Sequence, residues 1–257
     1  ITSLDLVFTL NPVAVQSGSF LQTLYNRKKP YPVYPCGVLD GYLFEKQDIE
    51  VKDFYGAVIC MVHFHGRNLV SSRHRGLPYG IVEYDDDGKY LGKVVEHSEN
   101  LGTVSVMIGC HIHVLLCGTS GGVIPLLERP DQTIECTRLV PLHEYPIVGG
   151  ACIYRADLEF FFTIDRKGFI GIVLLENGLC LKSFINSPLS QDAATTIVAS
   201  SDKLYIGLSS GYAYTVDVSE ILNGNLKEAE NLVKYVVSYD MIFKDGAEVA
   251  SMAIMHP

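Results

Sequence analysis

Five stretches of this chain repeat one pattern. Gly56–Val62, Gly102–Ile108, Gly149–Tyr154, Ala194–Ala199 and Glu248–Ala253 are each short, apolar and rich in small residues. With Ala57, Val104, Ala151, Thr196 and Val249 taken as equivalent, the copies are spaced by 47, 47, 45 and 53 residues. A period near ~45 residues with four strand-like runs per copy is the mark of a β-propeller blade. Solenoids built on leucine-rich or helical repeats need shorter periods or helices, and a single sandwich has no reason to repeat its glycines at this interval.

The clearest copy is Leu101–Val140. It reads as four strands, Val104–Cys110, His113–Thr119, Gly122–Glu128 and Thr133–Val140, with breaks at Cys110-His111, Thr119–Gly122 and Arg129–Gln132. The opening run of each copy is expected to be the innermost strand, where a narrow central channel excludes bulky side chains. A hairpin with a small-residue tip follows, in Leu115–Ile124, Phe161–Ile170 and Leu204–Ala213. Gly121, Gly168 and Gly211 sit where that turn needs positive φ. A third turn recurs at Asp86–Lys89, Arg129–Gln132 and Glu176–Gly178. In the fourth copy it is replaced by an insertion, Ser219–Glu230, expected to hold a short helical turn.

The reading is therefore an all-β fold, a β-propeller of four-stranded antiparallel blades, as one domain over residues 1–257. Blades are expected at about 1–55, 56–100, 101–145, 146–190 and 191–245, with 246–257 opening a further blade. Because an open sheet edge invites aggregation, five blades are expected to belong to a six- or seven-bladed propeller in a longer chain. Residues 1–55 are the least regular. There Pro30, Pro32 and Pro35 force an extended loop over Asn26–Cys36, with Arg27–Lys29 at its tip. Tyr42–Phe44 and Ile49–Val51 read as outer strands.

The pattern of an inner strand, a Gly-Thr/Ser-x-x-Gly hairpin and a strand closing on an acidic residue resembles the WD-repeat superfamily, and also the citron-homology and vesicle-tethering propellers. Ile206–Val218 carries the resemblance best, and it extends over most of residues 56–257. The chain has no Trp, so the His–Asp–Ser–Trp hydrogen-bond network of standard WD blades is not expected and a divergent propeller is. The resemblance implies an interaction platform within a larger assembly.

Composition limits the partners. A formal net charge of −9 leaves no general basic face for phosphate contacts. Seven cysteines, none in a Cys-x-x-Cys pair and most in apolar runs, read as free thiols in a reducing, intracellular compartment, cytoplasmic or nuclear. No apolar run reaches the ~20 residues of a membrane span.

Candidate chemistry is sparse. His63-Phe64-His65 and His111-Ile112-His113 are two His-x-His motifs 48 residues apart. On a strand, residues i and i+2 share a face, so each motif could present two imidazoles to a metal, with Cys60, Cys110 or a carboxylate completing the shell. The plainer reading makes them polar residues at hairpin ends. Asp85–Asp87 reads as a solvated turn rather than a calcium loop, and Glu248 is the main carboxylate on an inner strand. Arg67, Arg73, His74 and Arg75 form a modest basic cluster. Gly118–Gly122 has the composition of a phosphate nest, but it lacks a following helix. No catalytic, cofactor-binding or metal residue is therefore assigned. The leading expectation is a non-catalytic scaffold that binds other protein subunits, without a cofactor. The alternatives are a metal-dependent enzyme built on the His-x-His pairs and an RNA-associated propeller using Arg27–Lys29 and Arg73–Arg75.

Overall fold

The computed structural model describes residues 37–39, 42–44, 51–53, 57–73, 81–85, 90–95, 100–129, 131–176, 179–189, 191–242, 248–249 and 252. The chain forms two compact units, Ile1–Val104 and Ser105–Pro257. The turns expected at Asp86–Lys89 and Glu176–Gly178, the proline-rich loop and the cluster members His74 and Arg75 lie outside the described residues in whole or in part.

In the first unit, β1 (Gly37–Leu39), β2 (Tyr42–Phe44) and β3 (Val51–Asp53) pair as a three-stranded sheet. Then β4 (Ala57–Phe64), β5 (Arg67–Arg73), β6 (Ile81–Asp85) and β7 (Tyr90–Val95) form an antiparallel sheet in sequence order. Its β4–β5 turn is the pair His65-Gly66, both at positive φ (49° and 75°). Such a two-residue turn matches the right-handed twist of the strands it joins. Leu69, Val70 and Ile81 are fully buried.

The second unit repeats this sheet three times. The first copy contains β8 (Val104–Gly109), β9 (His113–Gly118), β10 (Gly122–Glu128), β11 (Ile134–Cys136) and β12 (Val140–Pro141). The second is β13 (Ile147–Arg155), β14 (Leu158–Asp165), β15 (Ile170–Glu176) and β16 (Leu179–Asn186). The third is β17 (Ala194–Ser200), β18 (Lys203–Leu208), β19 (Tyr212–Asp217) and β20 (Val236–Met241). Serial antiparallel sheets of this kind are the blades of a β-propeller, as the repeat implies. Each hairpin glycine named from sequence is at positive φ: 83° at Gly121, 85° at Gly168 and 86° at Gly211.

The four strands of Leu101–Val140 fall where the repeat puts them, except that the outermost is split into β11 and β12, both paired with β10. Pro125 in mid-β10 explains the break: it has no N–H to donate. Its carbonyl instead accepts from both the amide (3.0 Å) and the hydroxyl (2.8 Å) of Thr137, and the outer strand bends away there.

Burial explains why the middle strands read as unbroken apolar runs rather than alternating ones. Every residue of β9 is buried, and so are all but the ends of β10, β14 and β15. A strand covered on both faces by neighbouring sheets has no polar side. Phe160, Phe161 and Phe162 are all fully buried. Phe160 and Phe162 pack into one apolar cluster with Ile197, Leu204 and Ile206. Phe161 packs into another with Ile108, Leu115 and Ile147.

The same packing gives a further reason for a small residue in one opener. A Cβ on Gly150 in β13 would collide with the side chain of Ile108 in β8, so the adjacent inner strand excludes bulk there. The register changes as well. Ser105 Oγ donates to Ile147 O and Thr195 Oγ1 to Val249 O, both at 2.6 Å. Ile147, rather than Ala151, therefore takes the place that Val249 takes in the later copy.

The insertion folds as expected. Helix α1 (Ser219–Leu222) is followed by 3-10 turns at Leu226–Glu230 and Leu232–Tyr235. Buried Asn186 at the end of β16 holds it down: its amide donates to Ala229 O (2.8 Å) and its carbonyl accepts from Leu232 N (3.1 Å).

Candidate functional site

Two polar groupings interrupt the apolar interior of the second unit. The first is built on β14. His143, in the loop before β13, places Nδ1 at 3.1 Å from Asp165 Oδ2 and Nε2 at 2.8 Å from Thr163 Oγ1. Asp165 opens the β14–β15 turn. Its other oxygen accepts from the amides of Lys167 (2.8 Å) and Phe169 (3.0 Å). The Thr163 hydroxyl also reaches Gly171 O at 3.3 Å. Burial pushes the His143 pKa down, against the pull of Asp165, so the ring is neutral: Nδ1–H donates to the carboxylate and Nε2 accepts from the hydroxyl.

The full His–Asp–Ser–Trp network does not form, as the lack of Trp implies, but a His–Asp–Thr grouping does. Three members of the His–Asp–Ser/Thr–Trp arrangement are in place, and Gly171 closes the space where a fourth side chain would meet them. A Cβ there would lie 2.5 Å from His143 Nε2 and 2.6 Å from Thr163 Oγ1. The absence of Trp removes one member and leaves the other three intact.

The second grouping bridges β9 and β14. Glu159 and His113 are both buried, at 1% and 0% exposure. One Glu159 oxygen accepts from the amides of Ile112 (2.8 Å) and His113 (3.3 Å), and the other pairs with His113 Nδ1. Burial alone would raise the Glu159 pKa, but hydrogen bonds from the His113 ring and the Ile112 amide, with the attraction of His113, hold it below the usual value. His113 Nε2 is buried with no hydrogen-bond partner among the described residues. Nearby are Cys110 and Cys152, where the Cys152 thiol donates to the carbonyl of Gly109, the residue before Cys110, at 3.0 Å. Exposed His111 stacks on Tyr154, with ring centroids 4.5 Å apart.

The His-x-His motifs do not present paired imidazoles. His63 lies on β4 with Nδ1 3.0 Å from Asn68 Oδ1, whereas His65 forms the turn. His111 lies in an exposed turn and His113 begins a buried strand. Neither motif has the i, i+2 strand geometry that a shared face requires. Among the described residues, no group of three or more His, Cys, Asp or Glu is arranged to hold a metal ion. Glu248 is exposed. Arg67 pairs with Glu83 at 2.8 Å across β5 and β6. Gly118–Gly122 is a hairpin tip in which two amides are already used: Gly121 N donates to Gly118 O (3.1 Å) and Gly122 N to Ser120 Oγ (3.3 Å). No helix among the described residues is long and apolar enough to cross a membrane.

An exposed apolar strip, which sequence reasoning missed, lies along the outermost strand of the last sheet, β20, and the residues flanking it. Val233, Val237, Tyr239, Met241 and Ile242 are all at least 46% exposed, and Tyr239 stacks on Tyr212 and Tyr214 with centroids 4.6 Å away in each case.

No protein-family model matches the chain, and no curated protein matches it. Solved structures do. The chain is similar to Kluyveromyces lactis Hsv2 (TM-score 0.54, 16% identity), covering 81% of this chain and 67% of that one. It is also similar to Kluyveromyces marxianus Hsv2 (TM-score 0.51, 13% identity; 72% of this chain, 60% of that one). A third match is the WD40 repeats of RRP9 (TM-score 0.50, 12% identity; 63% and 48%). The chain thus spans less than two thirds of the latter two. At these identities the likeness shows the fold alone, a β-propeller.

Proposed function

We propose that this chain is a non-catalytic protein-interaction scaffold, the propeller part of a larger intracellular assembly that binds other protein subunits. The reading takes residues 1–257 as one propeller domain with the blade boundaries given by the repeat. The observation that carries it is the strip on β20. An outer strand presents unpaired backbone groups to solvent and is normally protected by charge or proline. Here it carries Val237 at 60% exposure, Tyr239 at 46% and Met241 at 51%, a surface suited to burial against a partner. WD40 propellers commonly serve this role, and cysteines not joined in disulfides, Cys60, Cys110, Cys136, Cys152 and Cys180 among them, suit a reducing compartment.

The test is affinity capture from cells with the full chain and with a Val237→Lys/Met241→Lys variant, followed by mass spectrometry. Discrete partners retained by the first and lost by the second support the scaffold. Turnover of a small-molecule or glycan substrate by the purified protein, abolished by one carboxylate substitution, would overturn it.

A further inference from the structure

The seam between the β8–β11 and β13–β16 sheets holds two thiols that the scaffold reading does not use. Cys110 directly follows β8, and its amide donates to His113 O at 2.9 Å, fixing the turn in which it sits. Cys152 lies in mid-β13, paired in register with Phe161 of β14. Its Sγ is 3.0 Å from the carbonyl of Gly109, the residue before Cys110. Because Gly109 is bonded to Cys110, this contact places the two cysteines side by side across the seam. Both pack against the cluster of Ile108, Leu115, Ile147 and Phe161 on one side. Both remain only half-buried on the other, so a small oxidant can reach them.

We propose that Cys110 and Cys152 are a modification site, an oxidisable dithiol that a hydroperoxide closes into a disulfide joining two blades. The Cys152 thiolate attacks one peroxide oxygen. The O–O bond breaks, one water leaves after protonation, and Cys152 becomes a sulfenic acid. Cys110 sulfur then attacks the Cys152 sulfur. The S–O bond breaks, hydroxide takes the Cys110 proton and leaves as a second water, and the S–S bond forms. Two thiols and one hydrogen peroxide thus give one disulfide and two waters, and a dithiol reductant reverses the change.

The surroundings favour Cys152 as the first nucleophile. The neighbouring Cys110 thiol lowers its pKa, outweighing burial and the nearby Glu159 charge. The Cys152 thiol, with burial, raises that of Cys110. Elsewhere burial pushes Cys60 up to about 12 and raises Cys136 and Cys180, which leaves them slower to react.

The reduced full chain is treated with hydrogen peroxide, blocked with iodoacetamide and mapped by non-reducing peptide mass spectrometry. The expected product is a cross-linked peptide pair containing Cys110 and Cys152, lighter by two hydrogens, released by dithiothreitol and accompanied by a rise in Tm. In Cys110→Ser the sulfenic acid on Cys152 has no resolving thiol and is trapped by dimedone. The proposal is overturned if, in natively folded wild-type protein, both cysteines remain alkylatable after peroxide. It is equally overturned if the cross-links formed join other cysteines instead.

Discussion

The Thr195 hydroxyl donates to Val249 O at 2.6 Å and also lies 3.1 Å from Gly207 O. It thereby links its own sheet's second strand to the segment after β20. Ser105 repeats the arrangement, reaching Ile147 O at 2.6 Å and Cys117 O at 3.3 Å. In β17 the register slips between Ala194 and Thr196, so Thr195 is a bulge residue, and a bulge re-aims its side chain. Thr195→Val keeps the volume but removes the donor and leaves a carbonyl without it. It should cost about 1–2 kcal/mol in urea unfolding, whereas Thr195→Ser should cost much less. Equal losses from the two variants would mean that the methyl group, and not the hydroxyl, holds the seam.

Gly171→Ala should be worse than a strand glycine substitution usually is. The new Cβ would be 2.7 Å from Leu142 Cδ2 as well as meeting His143 and Thr163, so His143 must move and lose its hold on Asp165. Overpacking of this kind costs about 1–3 kcal/mol, and the lost hydrogen bonds add to it. Thermal unfolding checks this, with Gly92→Ala as a control, because no atom lies within 4 Å of a Cβ built there.

Much of this architecture is legible in the chain because the repeat is a packing requirement. Within the second unit the sheets bury one another, so the copies there share apolar middle strands and a positive-φ glycine at the hairpin, Gly121, Gly168 and Gly211. The polar groupings are not legible in the same way. His143 and Asp165 pair across 22 residues, and Glu159 reaches His113 across 46. Neither spacing matches the helical or strand periodicities that sequence patterns reveal. One signal was available: Thr163 and Asp165 end the strand that leads into the Gly168 hairpin, and His143 precedes the inner strand of the same copy. The His-x-His motifs misled because i, i+2 geometry holds only inside a strand, and both motifs fall at hairpin turns.

The β20 strip gives a prediction that separates binding from stability. Val237 and Met241 are 60% and 51% exposed, so Val237→Lys and Met241→Lys should change unfolding free energy by no more than about 0.5 kcal/mol. The same substitutions should improve solubility and abolish partner capture. Sedimentation at rising protein concentration provides a second readout, since an uncovered apolar edge promotes self-association.

Acid should weaken the second unit in two stages. His143 has a folded pKa below its ordinary 6.5 because burial disfavours the charged ring. The unfolded chain therefore takes up a proton first, and stability declines as pH falls from that value. Glu159 has a folded pKa below its ordinary 4.5, where hydrogen bonds from His113 and Ile112 overcome burial. Its contribution is complete above 4.5 and is lost as pH falls through the depressed value. Urea unfolding from about pH 8 to pH 3 should show both declines. His143→Gln should flatten the upper one and leave the lower. Glu159→Ala should remove the lower one and cost about 3–5 kcal/mol at neutral pH, because it strands the Ile112 and His113 amides and the His113 ring without an acceptor. A profile for Glu159→Ala that still fell steeply below pH 4.5 would assign the acid sensitivity to other carboxylates.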